Sequence, residues 1–129
     1  MENNKIGKKV LIVEDDQGFR TILQKSFEGT EFDTVIAEDG QEALLKVKEE
    51  KPDLILMDIM MPKMDGIQVA AKLKEFGVNT PIIFLTNVKD DEKISEVMVV
   101  GGGNMDYVVK TDVRVEDIIE RIRKRLSQR

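Results

Sequence analysis

Pro52-Asp53-Leu54-Ile55-Leu56-Met57-Asp58-Ile59-Met60-Met61-Pro62-Lys63-Met64-Asp65-Gly66 is the stretch on which the reading of this chain turns. Leu54 to Met57 is a short unbroken apolar run, which reads as a strand buried on both faces, the kind found in parallel sheets. Asp58 follows it directly. Leaving even a neutral polar group buried and unpaired costs about 2–7 kcal/mol, so packing does not account for a carboxylate at that position. A strand end that opens into a ligand-binding crevice does. Helix capping is the bland alternative, but Ile59-Met60-Met61-Pro62 is not a helix start. Pro62 and the Met64-Asp65-Gly66 turn lead into a helical pattern only further on.

Outward from this strand the same alternation repeats. On the N-terminal side, Lys8-Lys9-Val10-Leu11-Ile12-Val13 is another apolar run, ending in Glu14-Asp15-Asp16. A helical pattern covers Asp16 to Glu28, with Phe19, Ile22, Leu23 and Phe27 on one face and Gly29 as its stop. Phe32 to Ala37 reads as a strand rich in β-branched residues. Asp39-Gly40 turns into a helix over Gln41 to Glu50, with Ala43, Leu44 and Val47 inward. On the C-terminal side, a helix from Gly66 to Phe76 turns Ile67, Ala70 and Leu73 inward and ends at Gly77. Pro81 to Leu85 is a fourth strand, terminated by Thr86-Asn87. Asp90 or Asp91 can cap a fourth helix carrying Ile94, Val97 and Met98, which Gly101-Gly102-Gly103 ends. Tyr107-Val108-Val109 is a fifth strand closed by Lys110. A last helix, Val115 to Ser127, carries Val115, Ile118, Ile119, Ile122 and Leu126 on one stripe. Five strand–helix alternations with short connections predict an α/β fold: a doubly wound, five-stranded parallel sheet with helices on both faces. With right-handed crossovers the natural strand order is 2-1-3-4-5.

Composition narrows the chemistry. The chain has 129 residues, 41% of them hydrophobic, which suits one domain with a real core. It contains neither cysteine nor histidine. That leaves no thiol chemistry, and any metal site must use oxygen ligands, pointing to Mg²⁺, Mn²⁺ or Ca²⁺ rather than zinc. A formal net charge of −5 disfavours nucleic acid as a direct partner. The polar stretch Met1 to Lys9 has no apolar signal-peptide core, and no run approaches the ~20 apolar residues of a membrane span. These features predict a cytoplasmic protein without a membrane partner. The basic run Arg121 to Arg125 sits at a helix C-terminus with Glu116 and Asp117 at the start, an arrangement that complements the helix dipole and does not call for nucleic acid.

Parallel strands bring their carboxyl ends to one edge of the sheet. That edge would collect Glu14 and Asp15 from the first strand, Asp58 from the third, Thr86 from the fourth and Lys110 from the fifth. Three close carboxylates repel one another unless a cation joins them. A hard divalent ion that keeps several waters fits best, and Mg²⁺ is the leading choice, with Mn²⁺ as a substitute. A phosphate would use the remaining groups: its oxygens share the metal, accept from Thr86 and pair with Lys110. A carboxylate facing phosphorus in line can act as nucleophile and form an acyl phosphate, catalysed mostly by positioning and charge neutralisation.

These pieces identify a resemblance. Val10 to Asp16, Pro52 to Gly66, Ile82 to Thr86 and Asp106 to Lys110 together resemble the receiver (response-regulator) domain of two-component signalling, over essentially the whole chain. The resemblance implies a flavodoxin-like (βα)₅ fold and phosphorylation of Asp58 by a sensor histidine kinase or a histidine phosphotransfer protein. It implies direct Mg²⁺ ligation by Asp15 and Asp58, ligation by Glu14 through water, and a contribution from the Met60 backbone carbonyl. Thr86 and Tyr107 would be a switch pair, and Lys110 would meet the phosphoryl oxygens. A downstream protein would read the face shared by the fourth predicted helix, the fifth strand and the last helix, on a monomer or a phosphorylation-dependent dimer.

The sequence departs from the family in two places. The lysine is usually followed by a cis proline, and here Thr111 follows. A cis bond before a non-proline residue costs roughly 3–4 kcal/mol, so a trans bond and a shifted loop are expected. Around the acyl phosphate, Asn87 replaces a small residue, and Met60 and Val88 are apolar and cannot orient an attacking water, which predicts slow self-dephosphorylation. The expected organisation is a flexible segment over 1–7, a receiver over 8–127 and no output domain, in a stand-alone switch that does not turn over an external substrate. Two other readings are a Mg²⁺-dependent phosphohydrolase with an aspartate nucleophile, and a non-phosphorylated binding module.

Overall fold

The computed structural model describes residues 8–87, 105–111 and 113–127. The segment 1–7, Val88, the predicted fourth helix with its caps, and Gly101 to Gly103 lie outside the described residues. Five strands, β1 (Lys8–Val13), β2 (Phe32–Ala37), β3 (Leu54–Asp58), β4 (Ile82–Thr86) and β5 (Met105–Val109), form one sheet in the order β2-β1-β3-β4-β5. Every neighbouring pair is parallel. The described helices are α1 (Gln17–Phe27), α2 (Gly40–Glu50), α3 (Gly66–Glu75) and α4, the last helix, Val115–Ser127. The predicted fold and strand order are those observed.

The central strands are apolar throughout because both of their faces are covered. Leu11, Val13, Ile55, Met57, Ile82 and Phe84 point to the side packed by α2 and α3 through Ala43, Val47, Ile67, Ala70 and Leu73. Val10, Ile12, Leu54, Leu56, Ile83 and Leu85 point to the other side, against Leu23 and Phe27 of α1 and Ile118, Ile119, Ile122 and Leu126 of α4. Each fully buried side chain of this size contributes about 1.5–3 kcal/mol, so two aliphatic layers hold the sheet rigid with few aromatics.

Local signals set the helix ends. Asp16, Asp39 and Asp65 are the N-caps of α1, α2 and α3, and each side chain accepts a backbone N–H from the first turn. Asp65 and Gln68 complete a capping box. Gly29 and Gly77 follow helices with positive φ of 80° and 78°. One expected core position fails. Ile22 is 52% exposed. At 100° per residue it lies on the far flank of the stripe centred on Leu23, so the i+3 spacing from Phe19 overstated the width of the buried face.

Candidate functional site

Backbone ladders run on past the ends of the strands and so fix the functional residues. The Glu14 N–H donates to Ala37 O at 3.1 Å, prolonging the β1–β2 pairing, and the Ile59 N–H donates to Leu85 O at 2.9 Å just beyond Asp58. The Lys110 N–H donates to Thr86 O at 2.7 Å. Glu14, Asp58 and Thr86 are all buried.

The side chains converge. Carboxylate oxygens of Glu14, Asp15 and Asp58 lie within 4.8 Å of one another. Lys110 Nζ donates to Glu14 Oε1 at 2.9 Å and to Asp58 Oδ2 at 3.3 Å. The Met60 N–H donates to Asp58 Oδ1 at 3.3 Å. Asp15 is exposed at the mouth of the cluster. The Met60 side chain projects outward and is 58% exposed. The Lys110–Thr111 peptide is trans, as expected. Lys110 reaches Asp58 all the same. Tyr107 is half-buried on β5, paired in register with Phe84, while Thr86 pairs with Val109. Thr86 and Tyr107 therefore occupy the same sheet face, one alternation apart along the strands. Asn87 is exposed, and Val88 lies outside the described residues.

Two contributors, Arg20 and Phe19, are not evident from the sequence motifs, and a third, Gly66, belongs to the turn that follows Asp58. Arg20 donates to the backbone oxygen of Glu14 at 2.9 Å, pinning the acidic corner from α1. The Phe19 ring, expected to be plain core, carries the Lys110 ammonium 4.3 Å from its centroid. Gly66 lies across the exit of β3, its N–H donating to Ile59 O at 2.8 Å. The spacing of Arg20 and Phe19 from the Asp16 cap would have placed both in the first turn of α1, close to this edge.

Burial pushes the Glu14 carboxyl above its ordinary value of 4.5; the hydrogen bond from Lys110 opposes this, and the Asp58 charge adds to it. Burial also acts against the charge on Lys110, but Glu14 and Asp58 outweigh it and hold the ammonium above its usual range. Because folded Glu14 binds its proton more tightly than unfolded Glu14, its ionisation destabilises the metal-free fold at neutral pH. That penalty shrinks as pH falls through the raised pKa and is gone below the ordinary one. In chelator, the difference in melting temperature between wild type and Glu14→Gln is therefore expected to narrow as pH falls from neutral toward the ordinary value of 4.5. A difference independent of pH would show that Glu14 does not titrate in this way.

The donor set fits a hard divalent cation: oxygen ligands only, clustered and partly buried, with one exposed member facing water. The sequence profile of the response regulator receiver domain matches residues 10–123. The chain belongs to that family. The receiver is 38% identical to the alkaline phosphatase synthesis transcriptional regulatory protein PhoP of Bacillus subtilis, over 90% of this chain and 50% of the relative. It is 37% identical to the DNA-binding response regulator MtrA of Mycolicibacterium smegmatis, over 94% of this chain and 51% of that protein. The chain thus spans about half the length of these curated relatives. Among solved structures, the receiver domain of Francisella response regulator 1452 superposes with a TM-score of 0.85 at 31% identity, covering 95% of this chain and 98% of that one. The chemotaxis protein CheY4 of Vibrio cholerae superposes with a TM-score of 0.81 at 28% identity, covering 92% and 98%. Among the described residues no helix is long and apolar enough to cross a membrane.

Proposed function

We propose that this receiver is a phosphorylation-controlled switch that accepts a phosphoryl group on Asp58. The observation that carries this reading is the meeting of Asp58 with a second buried carboxylate, an exposed one and a single ammonium at the end of the central strand. In the transfer, an Asp58 carboxylate oxygen forms a bond to phosphorus while the bond from phosphorus to a donor's histidine nitrogen breaks. The electron pair stays with the nitrogen, which takes up a proton. Asp15 and Asp58 would hold Mg²⁺ directly, with Glu14 through water and Met60 through its backbone carbonyl. When bound, the ion supplies positive charge at the phosphoryl oxygens. Lys110 neutralises the same oxygens from the β5 side, Thr86 donates its hydroxyl, and Tyr107 follows Thr86 inward.

The phosphoryl donor is a sensor histidine kinase or a histidine phosphotransfer protein, and the readout is a downstream protein that meets the surface around β5 and α4. On that surface Arg121 pairs with Asp106 at 2.8 Å, and Arg123 pairs with Glu31 and Glu120. Arg121 and Arg123 of the basic run are thus engaged with neighbouring acids, which supports a protein partner rather than nucleic acid for this segment. The exposed apolar Met60 side chain and Val88 lengthen the life of the acyl phosphate by offering no group to orient water, and the bulk of Asn87 restricts access to Asp58.

Intact-mass spectrometry with acetyl phosphate and Mg²⁺ tests the assignment. Wild type is expected to gain about 80 Da, one phosphoryl group, and Asp58→Asn to gain nothing. Continuous hydrolysis of the donor without a lasting adduct would favour a phosphohydrolase, and no reaction at all would favour a binding module.

A further inference from the structure

We propose that Phe19 is a positioning residue for Lys110, holding the ammonium by a cation–π contact while its hydrogen bonds are exchanged during phosphoryl transfer; this rests on the reading of Asp58 as phosphoacceptor. The geometry is specific. Lys110 Nζ lies 4.3 Å from the Phe19 ring centroid, well inside the ~6 Å limit of such contacts. The Lys110 side chain is only 11% exposed, so water screens the contact little.

Phe19 itself is held firmly. Its N–H donates to Asp16 Oδ2 at 2.8 Å, which fixes it in the first turn of α1. Its half-buried side chain packs against the layer formed by α1, α4 and one sheet face. The ring is thus a rigid wall, whereas Lys110 is a four-carbon stem with much rotamer freedom to lose.

The chemistry gives the wall a purpose. In the unphosphorylated protein the ammonium is committed to Glu14 and Asp58, at 2.9 and 3.3 Å. Once Asp58 bears a phosphoryl group, those donors must turn to its oxygens. Hydrogen bonds are directional and break during that exchange, while attraction to a ring face depends mainly on distance and survives small rotations. Phe19 therefore keeps the charge beside phosphorus throughout. Leucine would fill similar space and supply no such field.

The test compares wild type with Phe19→Leu and Phe19→Tyr. Two quantities are read: the ring-current shift of the Lys110 ε-methylene by NMR, and the rate of loading from acetyl phosphate at saturating Mg²⁺, with melting temperature as the folding control. Phe19→Leu is expected to lose the upfield shift and to load about 2- to 30-fold more slowly. Phe19→Tyr is expected to restore both, whereas a simple packing role predicts that Phe19→Leu, which fills similar space, loads at the wild-type rate. Loading of Phe19→Leu at the wild-type rate, an unchanged Lys110 shift, or failure of Phe19→Tyr to rescue would each overturn the inference while leaving the Asp58 reading intact. A wild type that takes up no phosphoryl group would overturn both.

Discussion

Replacing Lys110 by Met is expected to destabilise the metal-free protein by about 3–5 kcal/mol at neutral pH, the cost of removing one partner from a buried ion pair. Among the described residues, Lys110 Nζ is the side-chain cation that bonds both Glu14 and Asp58. Glu14 is fully buried and Asp58 nearly so, and loss of the ammonium leaves both with little compensating hydration. The cost has a built-in limit. Glu14 already holds its proton more tightly than an ordinary carboxyl, and losing the ammonium pushes it further in that direction. Protonation then caps the penalty, so the deficit of Lys110→Met should shrink as pH falls.

The same charge count predicts the opposite sign for Asp58→Asn. The Asp58 charge is one of the causes that raise Glu14, and its removal leaves one ammonium facing one buried carboxylate. Asp58→Asn is therefore expected to melt higher than wild type in chelator. Mg²⁺ at a hundred times its dissociation constant should stabilise the wild type by about 2.7 kcal/mol, and Asp58→Asn by much less. Thermal unfolding of the three proteins with chelator and with Mg²⁺ measures all of this. A Lys110→Met protein as stable as wild type without metal would mean that the carboxylates find counter-charge elsewhere.

The chemistry of this site was legible because its residues stand at strand ends, where the sequence pattern is least ambiguous. An apolar run followed at once by Asp58, or by Glu14 and Asp15, announces both a buried strand and a polar edge. Strand parallelism then brings those edges together, and the observed cluster follows without knowledge of any side-chain torsion. Residues acting from helix surfaces were harder to place. Phe19 and Ile22 both fit the apolar stripe of α1, yet Ile22 is solvated and Phe19 meets a lysine 91 positions away in the chain. Periodicity reports which face is apolar and not what lies opposite it. Arg20 was silent for the same reason: its role is a hydrogen bond to a backbone oxygen, which leaves no mark in the side-chain pattern.

Gly66→Ala is expected to injure this site more than any change of comparable size. A Cβ built on Gly66 would lie 2.5 Å from the backbone oxygen of Asp58 and 3.1 Å from Ile59 Cα. Both neighbours are backbone, so no side chain can swing away. They are also fixed: the Ile59 N–H is bonded to Leu85 O, and Ile59 O accepts from the Gly66 N–H itself. One added methyl must therefore push the start of α3 away or displace the end of β3. Overpacking of this kind costs about 1–3 kcal/mol, and with backbone on both sides the upper end is expected. The loss in function should exceed the loss in stability, because displacing a reacting group by about 1 Å can slow a reaction on the order of 10²-fold. Gly18→Ala is the control. Gly18 lies in the first turn of α1, where a Cβ meets only Asp16 Oδ2 at an ordinary 3.5 Å, so alanine there should be neutral or stabilise by up to about 1 kcal/mol. Chemical denaturation paired with acetyl phosphate loading separates the two variants. If Gly66→Ala keeps wild-type stability and loading, the turn after Met64 has room that this backbone geometry denies it, and the close crossing of Gly66 over Asp58 is not what holds the carboxylate in place.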